Sequence, residues 1–207
     1  MKGKFITFEG CEGVGKSRQI KLLKESLDAL NIKYYLTREP GGTPVSEKIR
    51  EIILDGKNTD MTDECEALLY AAARVQLLDR EIAPRLERGE LVICDRFFDS
   101  SLAYQGYARG LGVEFITEIN SYAIKNFTPD YTLFLDLPPE KAFLRKGGAD
   151  RSDRLELSGM EFHNKVYKGY IELAKKNEKR FIVIDASGEK AETHEKIMKA
   201  LKDKGVI

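Results

Sequence analysis

The stretch Gly10-Cys11-Glu12-Gly13-Val14-Gly15-Lys16-Ser17 decides the fold, because it matches the phosphate-binding loop pattern G-x-x-x-x-G-K-[ST]. In such a loop the backbone N–H groups surround the β-phosphate of a nucleotide, and the helix that follows adds partial positive charge. We expect all eight residues to bind the nucleotide, with Lys16 reaching the β- and γ-phosphates and the Ser17 hydroxyl on Mg²⁺. Glycines suit a backbone that comes close to phosphate in conformations that a Cβ atom resists.

The residues on either side of the loop fit this assignment and extend into a repeating pattern. The candidate strands are Lys4–Glu9, Lys33–Thr37, Leu91–Asp95, Tyr131–Asp136 and Phe181–Asp185. Stretches with helical period lie between them, including Gln19–Leu30 after the loop and a helix capped by Thr62 that runs to about Arg88. This alternation predicts an α/β fold, in which a parallel sheet has helices on both faces and binds its ligand at the carboxyl ends of the strands.

Length and composition limit the class of protein. We expect the 207 residues to form one domain, residues 1–207, with the polar, glycine-bearing stretch around residues 146–154 as a lid. Basic and acidic residues both number 34, so the neutral chain gives no reason to expect a nucleic-acid polymer or a membrane surface as partner. It contains no apolar run of membrane-spanning length and no signal-peptide pattern. The cysteines Cys11, Cys65 and Cys94 lack metal-ligand spacing and favour a reducing, cytoplasmic compartment.

A phosphate-binding loop does not by itself name a reaction, and three classes compete. A GTP-dependent switch should carry N-K-x-D or T-K-x-D late in the chain, and neither motif occurs. A dehydrogenase should carry G-x-G-x-x-G, whereas the glycines here are spaced G-x-x-G-x-G. A small-molecule kinase needs a second anionic site, and arginines do follow the strands: Arg38 follows the second and Arg96 the third. Small-molecule kinases therefore remain.

Several residues near the strand ends have two possible interpretations. Asp95 ends the third strand, where it is expected either to orient Mg²⁺ through water or to cap a helix or pair with Arg96. Arg38 and Arg96 can each grip a phosphate through two N–H groups or form a surface salt bridge. Tyr70 and Arg74 are spaced i, i+4 on one predicted helix. The ring can stack on a base while the guanidinium donates to a base carbonyl. Alternatively, the two side chains can form an exposed cation–π pair or simply pack.

Further motifs run from the first predicted strand to the last: Phe8–Ser17, Arg38–Thr43, Leu68–Arg74, Asp95–Phe97, Ser100–Gly106, Asp153–Glu156 and Val183–Ala186. Together they resemble the motifs of the thymidylate kinase family, whose members phosphorylate dTMP with ATP. The R-E-P-G-G and D-R-x-x-x-S-S-x-A-Y-Q segments are more specific than the phosphate-binding loop. The resemblance implies a five-stranded parallel sheet flanked by helices, the fold of nucleoside monophosphate kinases with a phosphate-binding loop.

The resemblance also implies how dTMP is held. Arg96 and Arg38 match family arginines that bind the acceptor phosphate. Glu12 matches an acidic residue that accepts the 3′-hydroxyl of the deoxyribose. Tyr104 matches the aromatic wall that crowds the ribose 2′ position and so favours deoxyribose.

The remaining base and catalytic positions follow from the same resemblance. Ser101 and Gln105 match positions that touch the edge of the base. Family members with a small residue at the position of Gly13 take their transition-state arginine from the lid. We therefore expect Arg151 and Arg154 to act there beside Lys16 and Arg96, with Arg145 as the alternative.

The expected activity is ATP-dependent phosphorylation of dTMP to dTDP with Mg²⁺. The resemblance also implies a homodimer formed through helices. A kinase for another nucleoside monophosphate or for a deoxynucleoside is the alternative enzyme. A non-catalytic nucleotide-binding regulator is the alternative from another class. The intact Lys16, Ser17, Asp95 and Arg96 argue against the regulator.

Overall fold

In the computed structural model, which describes residues 2–146, 155 and 158–207, five parallel strands form one sheet. The strands are β1 Phe5–Glu9, β2 Tyr34–Arg38, β3 Leu91–Asp95, β4 Tyr131–Asp136 and β5 Phe181–Asp185. Their order in the sheet is β2-β3-β1-β4-β5. The predicted strands are thus confirmed, with ends that differ by no more than one residue. Residues 147–154 of the expected lid, with Arg151 and Arg154, lie outside the described residues.

Helices connect the strands and cover both faces of the sheet. They are α1 Lys16–Ala29, α2 Pro44–Leu54, α3 Asp63–Leu77, α4 Ala83–Glu87, α5 Phe98–Ser101, α6 Val113–Ile119, α7 Ser121–Phe127, α8 Pro139–Lys146, α9 Gly159–Lys176 and α10 Lys190–Asp203. A π-helical segment, Leu78–Ile82, joins α3 to α4, and a second, Leu102–Ala108, continues α5. The predicted helix from Thr62 to about Arg88 is confirmed, and the Thr62 side chain accepts from the Cys65 N–H at 3.2 Å. No helix in the described part of the chain has the length and apolar character needed to cross a membrane.

Two hydrophobic cores lie on opposite faces of the sheet. One contains Phe134 with residues of α3 and α9, such as Leu77 and Val166. The other contains Phe8 with residues of α1 and α10, such as Leu23. The central strand β1 is buried along its whole length, as expected for a parallel strand covered on both faces.

The parallel register brings the carboxyl ends of the strands together at one edge. Phe8 pairs with Asp95, and Arg38 also pairs with Asp95 from the other side of β3. Glu9 pairs with Phe134, next to Asp136 at the end of β4. The charged residues that end or follow these strands therefore converge on the phosphate-binding loop, which leaves β1 at the same edge.

Candidate active site

The phosphate-binding loop has the backbone conformation that its glycines permit. Gly10, Gly13 and Gly15 have φ angles of 146°, 75° and 100°, a region that side chains with a Cβ disfavour. Lys16 is buried, and its Nζ donates to the carbonyls of Gly10 at 3.2 Å and Cys11 at 3.3 Å. Cys11 is buried in one of the hydrophobic cores, and burial raises the pKa of its thiol to about 12.

Two cavities meet at this loop, and Glu12, Lys16 and Ser17 line both of them. The smaller cavity has a volume of about 240 Å³. All the residues expected to hold the acceptor line it, namely Glu12, Arg38, Tyr70, Arg74, Arg96, Ser101, Tyr104 and Gln105. The larger cavity, about 470 Å³, is also bordered by Gly13–Gly15 of the loop, by Arg145 and Lys190, and by the segment after β5. This arrangement can hold two ligands whose phosphates approach each other beside Lys16.

Arg96 connects the loop to the helices beyond β3. Its Nη2 donates to Glu12 Oε1 at 2.5 Å and to the Tyr104 hydroxyl at 3.1 Å. Its Nη1 donates to the Gly10 carbonyl at 3.1 Å and to the Tyr170 hydroxyl at 3.2 Å. The backbone of Arg96 has a φ of 69°, which is uncommon for a residue other than glycine. Such strain is maintained where the surrounding contacts fix a functional side chain, as these contacts do.

A fully buried carboxylate at the end of β1 supports Arg96 from behind. Glu9 accepts hydrogen bonds from Ser100 Oγ at 2.6 Å and from the Tyr170 hydroxyl at 2.7 Å, and Arg96 donates to both of these hydroxyl groups. Burial, helped by the charge of Asp99, raises the pKa of Glu9 to about 7, although Arg96 and the hydrogen bonds lower it. Neither Glu9 nor Tyr170 is among the site residues predicted from the sequence. The position of Glu9, a charged residue at the end of an otherwise apolar strand, could have indicated a site residue. The sequence around Tyr170 on α9 has no such feature.

Arg74 is 1% exposed and is fixed by two partners. Its Nε and Nη2 lie 2.7 and 2.6 Å from Glu39 Oε2, and its Nη1 donates to Asn120 Oδ1 at 2.5 Å. These bonds to described residues use three of the five guanidinium N–H groups. Burial raises the pKa of Glu39 even though Arg74 opposes the shift. The alternative of an exposed cation–π pair with Tyr70 is wrong, because Arg74 is buried at the wall of the smaller cavity.

Arg38 lies at the rim of the smaller cavity and is about half exposed. Its Nη2 is 2.8 Å from Glu47 Oε2, and the other oxygen of Glu47 accepts from the Gly42 N–H at 2.7 Å. Arg38 thus forms the surface salt bridge that was the alternative to phosphate binding. It also lines the cavity. An exposed pair of this kind contributes little to stability and can open for a phosphate.

The residues expected at the base edge differ in how they are bonded. Ser101 is buried, and its Oγ has no hydrogen-bond partner among the described residues. Gln105 is also buried and donates through Nε2 to Glu66 Oε1 at 2.7 Å. Tyr70 is partly buried on α3 and packs against the core. Among the described residues the Ser101 hydroxyl is therefore unpaired, whereas Gln105 is already oriented by Glu66, a residue that was not predicted from the sequence.

The residues expected to hold Mg²⁺ suit that ion. Asp95 Oδ1 is buried without a hydrogen-bond partner in the described part of the chain, and Ser17 is exposed at the wall of the smaller cavity. Both offer oxygen ligands, which Mg²⁺ prefers. No cluster of three or more His, Cys, Asp or Glu side chains could hold a metal among the described residues. A magnesium ion here would take its other ligands from phosphate oxygens and water, as it commonly does.

Arg145 organises the wall of the larger cavity. The guanidinium donates to the carbonyls of Ala186 at 2.6 Å, of Gly188 at 3.4 Å and of Ser187. The segment after β5 therefore helps to shape a ligand cavity. The Arg145 guanidinium therefore already donates to backbone carbonyls at the position where it was the alternative transition-state arginine.

Comparisons with known proteins point to one family. A family model described as thymidylate kinase matches residues 8–197. The thymidylate kinase of Thermoanaerobacter sp. strain X514 is 47% identical over 202 residues, which cover 98% of each chain. That of Symbiobacterium thermophilum is 48% identical over 199 residues, 96% of this chain and 92% of the relative. The crystal structure of thymidylate kinase from Ehrlichia chaffeensis is similar with a TM-score of 0.78 and 34% identity, covering 98% of this chain and 99% of that one.

Glu9 should make the free energy of unfolding depend on pH. Its pKa is raised from 4.5 to about 7 in the folded protein, so between these values the unfolded chain loses a proton that the folded protein keeps. Stability should therefore fall as pH rises from about 4.5 to 7, by roughly 3 kcal/mol relative to the Glu9→Gln variant. Urea unfolding of both proteins at several pH values measures the difference. Parallel pH dependence in the two proteins would contradict a raised pKa at Glu9.

Proposed function

The chain belongs to the thymidylate kinase family, and we propose that it transfers the γ-phosphoryl group of ATP to dTMP across the two cavities that meet at Lys16. It is a nucleoside monophosphate kinase that converts dTMP to dTDP. The observation that carries the mechanism is the shared wall of these cavities. A group that leaves a donor in one cavity can reach an acceptor in the other without crossing open solvent. Nothing in the site favours a non-catalytic regulator.

The smaller cavity is the proposed dTMP site. Two of the guanidinium groups that line it, Arg96 and Arg38, would bind the acceptor phosphate, because planar guanidinium groups match phosphate oxygens. Glu12, which accepts from Arg96 and Tyr104, would also accept the 3′-hydroxyl. Tyr104 is buried against the same carboxylate and would exclude a ribose 2′-hydroxyl.

The larger cavity is the proposed ATP site. Gly10–Ser17 would surround the β-phosphate through backbone N–H groups, and the N-terminus of α1 favours negative charge there. The segment fixed by Arg145 would border the nucleoside part of ATP. Mg²⁺, held by Ser17 and through water by Asp95, would neutralise charge on the phosphates when bound.

Catalysis in this proposal is electrostatic. Negative charge spreads over the phosphoryl group in flight, so fixed cations near its path lower the barrier. Lys16 lies at the common wall of the cavities, and Arg96 approaches the same loop from the acceptor side. Arg151 and Arg154 would supply further positive charge from a lid around residues 146–154. Residues 1–207 would act together as one domain.

We further propose a cytoplasmic homodimer. The three cysteines of each chain are free thiols, which suits a reducing compartment. The helices α2 and α3 expose the apolar side chains of Val45, Ile52, Leu68 and Val75, which a second copy of the chain could cover. Sedimentation equilibrium at micromolar concentration should give twice the mass of one chain, and Leu68→Glu should shift it toward the monomer. A monomer mass for the unmodified protein would exclude the dimer.

The activity itself should appear in an ADP-release assay with ATP and a panel of acceptors: dTMP, dUMP, dCMP, UMP, AMP and GMP. We expect kcat/KM to be highest for dTMP. Loss of the 5-methyl group should cost dUMP roughly 1–3 kcal/mol of transition-state binding. A cytosine amino group facing the Arg74 donors should cost more, because neither group can accept. A reaction without acceptor is the control for ATP hydrolysis, and a preference for dCMP or a purine nucleotide would contradict the assignment.

Arg96→Lys should separate the two substrates. Lysine keeps the positive charge but loses the planar set of donors, so the Kd for dTMP should rise about 10- to 100-fold. The Kd for ATP should rise far less, because the lysine keeps the positive charge that pairs with Glu12 and supports the loop. Calorimetric titration with each nucleotide measures both constants. Arg88→Lys is the matched control, since Arg88 is exposed and paired with Glu90 at 2.7 Å, near the opposite end of β3. Equal losses for ATP and dTMP would place Arg96 outside the acceptor site.

A further inference from the structure

A buried carboxylate fixes the orientation of an amide at the wall of the smaller cavity. Gln105 Nε2 donates to Glu66 Oε1 at 2.7 Å, with Gln105 1% and Glu66 0% exposed. The hydrogen-bond chemistry decides which end of the amide faces Glu66, because carboxylate oxygens accept and an amide oxygen cannot donate. Gln105 lines the cavity, so with its NH₂ group bound to Glu66 the amide offers Oε1 as the acceptor for a ligand there.

Glu66 is itself held in place from the far side. Arg109 Nη2 lies 3.1 Å from Glu66 Oε2, and its Nε donates to Oε1 at 3.4 Å. Arg109 also pairs with Asp63 at 3.3 Å and lies over the Phe162 ring at 4.7 Å. These contacts link α3 to the end of the π-helical segment, so Glu66 cannot turn away from Gln105 without breaking a buried ion pair.

The fixed amide has a consequence for base recognition. Thymine and uracil carry an N–H donor at N3, whereas cytosine carries an acceptor at N3. An amide free to rotate by 180° would suit both, since it can offer either its oxygen or its NH₂ group. An amide held with its oxygen toward the cavity accepts from thymine N3–H and opposes the cytosine N3 lone pair.

We propose that Glu66 is a positioning residue for base selectivity, which holds the Gln105 amide so that the site accepts pyrimidines with an N3–H and rejects cytosine. This inference rests on the proposed function and adds to it a residue that does not touch the substrate. Glu66 works together with Arg74, whose remaining N–H groups favour a carbonyl at position 4 of the ring. Gln105 would bind the group at position 3 of the base, and Arg74 would bind the group at the adjacent position 4.

The test compares kcat/KM for dTMP, dUMP and dCMP in the Glu66→Gln variant. A glutamine at position 66 can donate or accept, so it permits both orientations of Gln105. We expect the dTMP to dCMP ratio to fall about tenfold or more, the scale of one buried hydrogen bond, while the dTMP to dUMP ratio stays constant because the methyl group is not involved. The KM for ATP should not change. A merely structural role would lower kcat/KM for all three acceptors alike and leave both ratios unchanged, which would overturn the proposal.

A double-mutant cycle shows whether Glu66 acts through Gln105. In a Gln105→Leu background, Glu66→Gln should no longer alter the dTMP to dCMP ratio, and an undiminished effect would overturn the proposal. Asp99→Asn is the matched control, because Asp99 is also 0% exposed and paired with an arginine, Arg180 at 2.6 Å. It should reduce stability without changing the ratio.

Two further measurements keep the outcomes distinct. If Glu66→Gln does not fold, the double variant Glu66→Gln with Arg109→Gln removes both charges of the buried pair and should also lower the dTMP to dCMP ratio, and an unchanged ratio would overturn the proposal. The unmodified protein separates this inference from the proposed function. If it fails to phosphorylate dTMP, the function is wrong, whereas dTMP activity with no selectivity against dCMP overturns only the role of Glu66.

Discussion

The ion pair between Arg96 and Glu12, with N and O atoms 2.5 Å apart, is the contact on which both cavities depend. It joins the phosphate-binding loop after β1 to the residue that follows β3, and it is largely shielded from water. Removing one partner of a shielded pair leaves the other uncompensated, at a cost of about 3–5 kcal/mol. The same guanidinium also bonds to the Gly10 carbonyl, so the shape of the loop and the position of the acceptor cation are set together.

Among the described residues, three buried carboxylates each fix a side chain of the smaller cavity through hydrogen bonds. Glu9 holds Arg96 through Ser100 and Tyr170, Glu39 holds Arg74, and Glu66 holds Gln105. Burying a carboxylate costs free energy unless it is hydrogen-bonded. We therefore expect the function of each of these three carboxylates to be the positioning of its partner side chain. Groups fixed in this way need no reorganisation when a charged substrate binds, which is the condition for strong electrostatic catalysis.

The sequence predicted the strands, the phosphate-binding loop and the long helix from Thr62 because these follow from local patterns that neighbouring residues create. Lys16, Ser17 and Asp95 could be assigned for the same reason, since each sits at a fixed place relative to a strand or loop. Gln105 required the family resemblance. Asn120 and Tyr170 could not be found, because a polar residue on a helix has the same local pattern whether it faces solvent or a partner 46 or 74 residues away. Burial of these partners is decided only by the packed fold.

A crystal structure of the protein with ADP and dTMP bound together is the most direct test of two substrate sites that meet at one loop. The dTMP phosphate should lie within hydrogen-bond distance of Arg96 in the smaller cavity, with thymine between Tyr70 and Gln105. The β-phosphate of ADP should lie inside Gly10–Ser17, with its nucleoside in the larger cavity beside the segment fixed by Arg145. A dTMP phosphate bound in the Gly10–Ser17 loop, or both nucleotides in one cavity, would contradict transfer between separate sites.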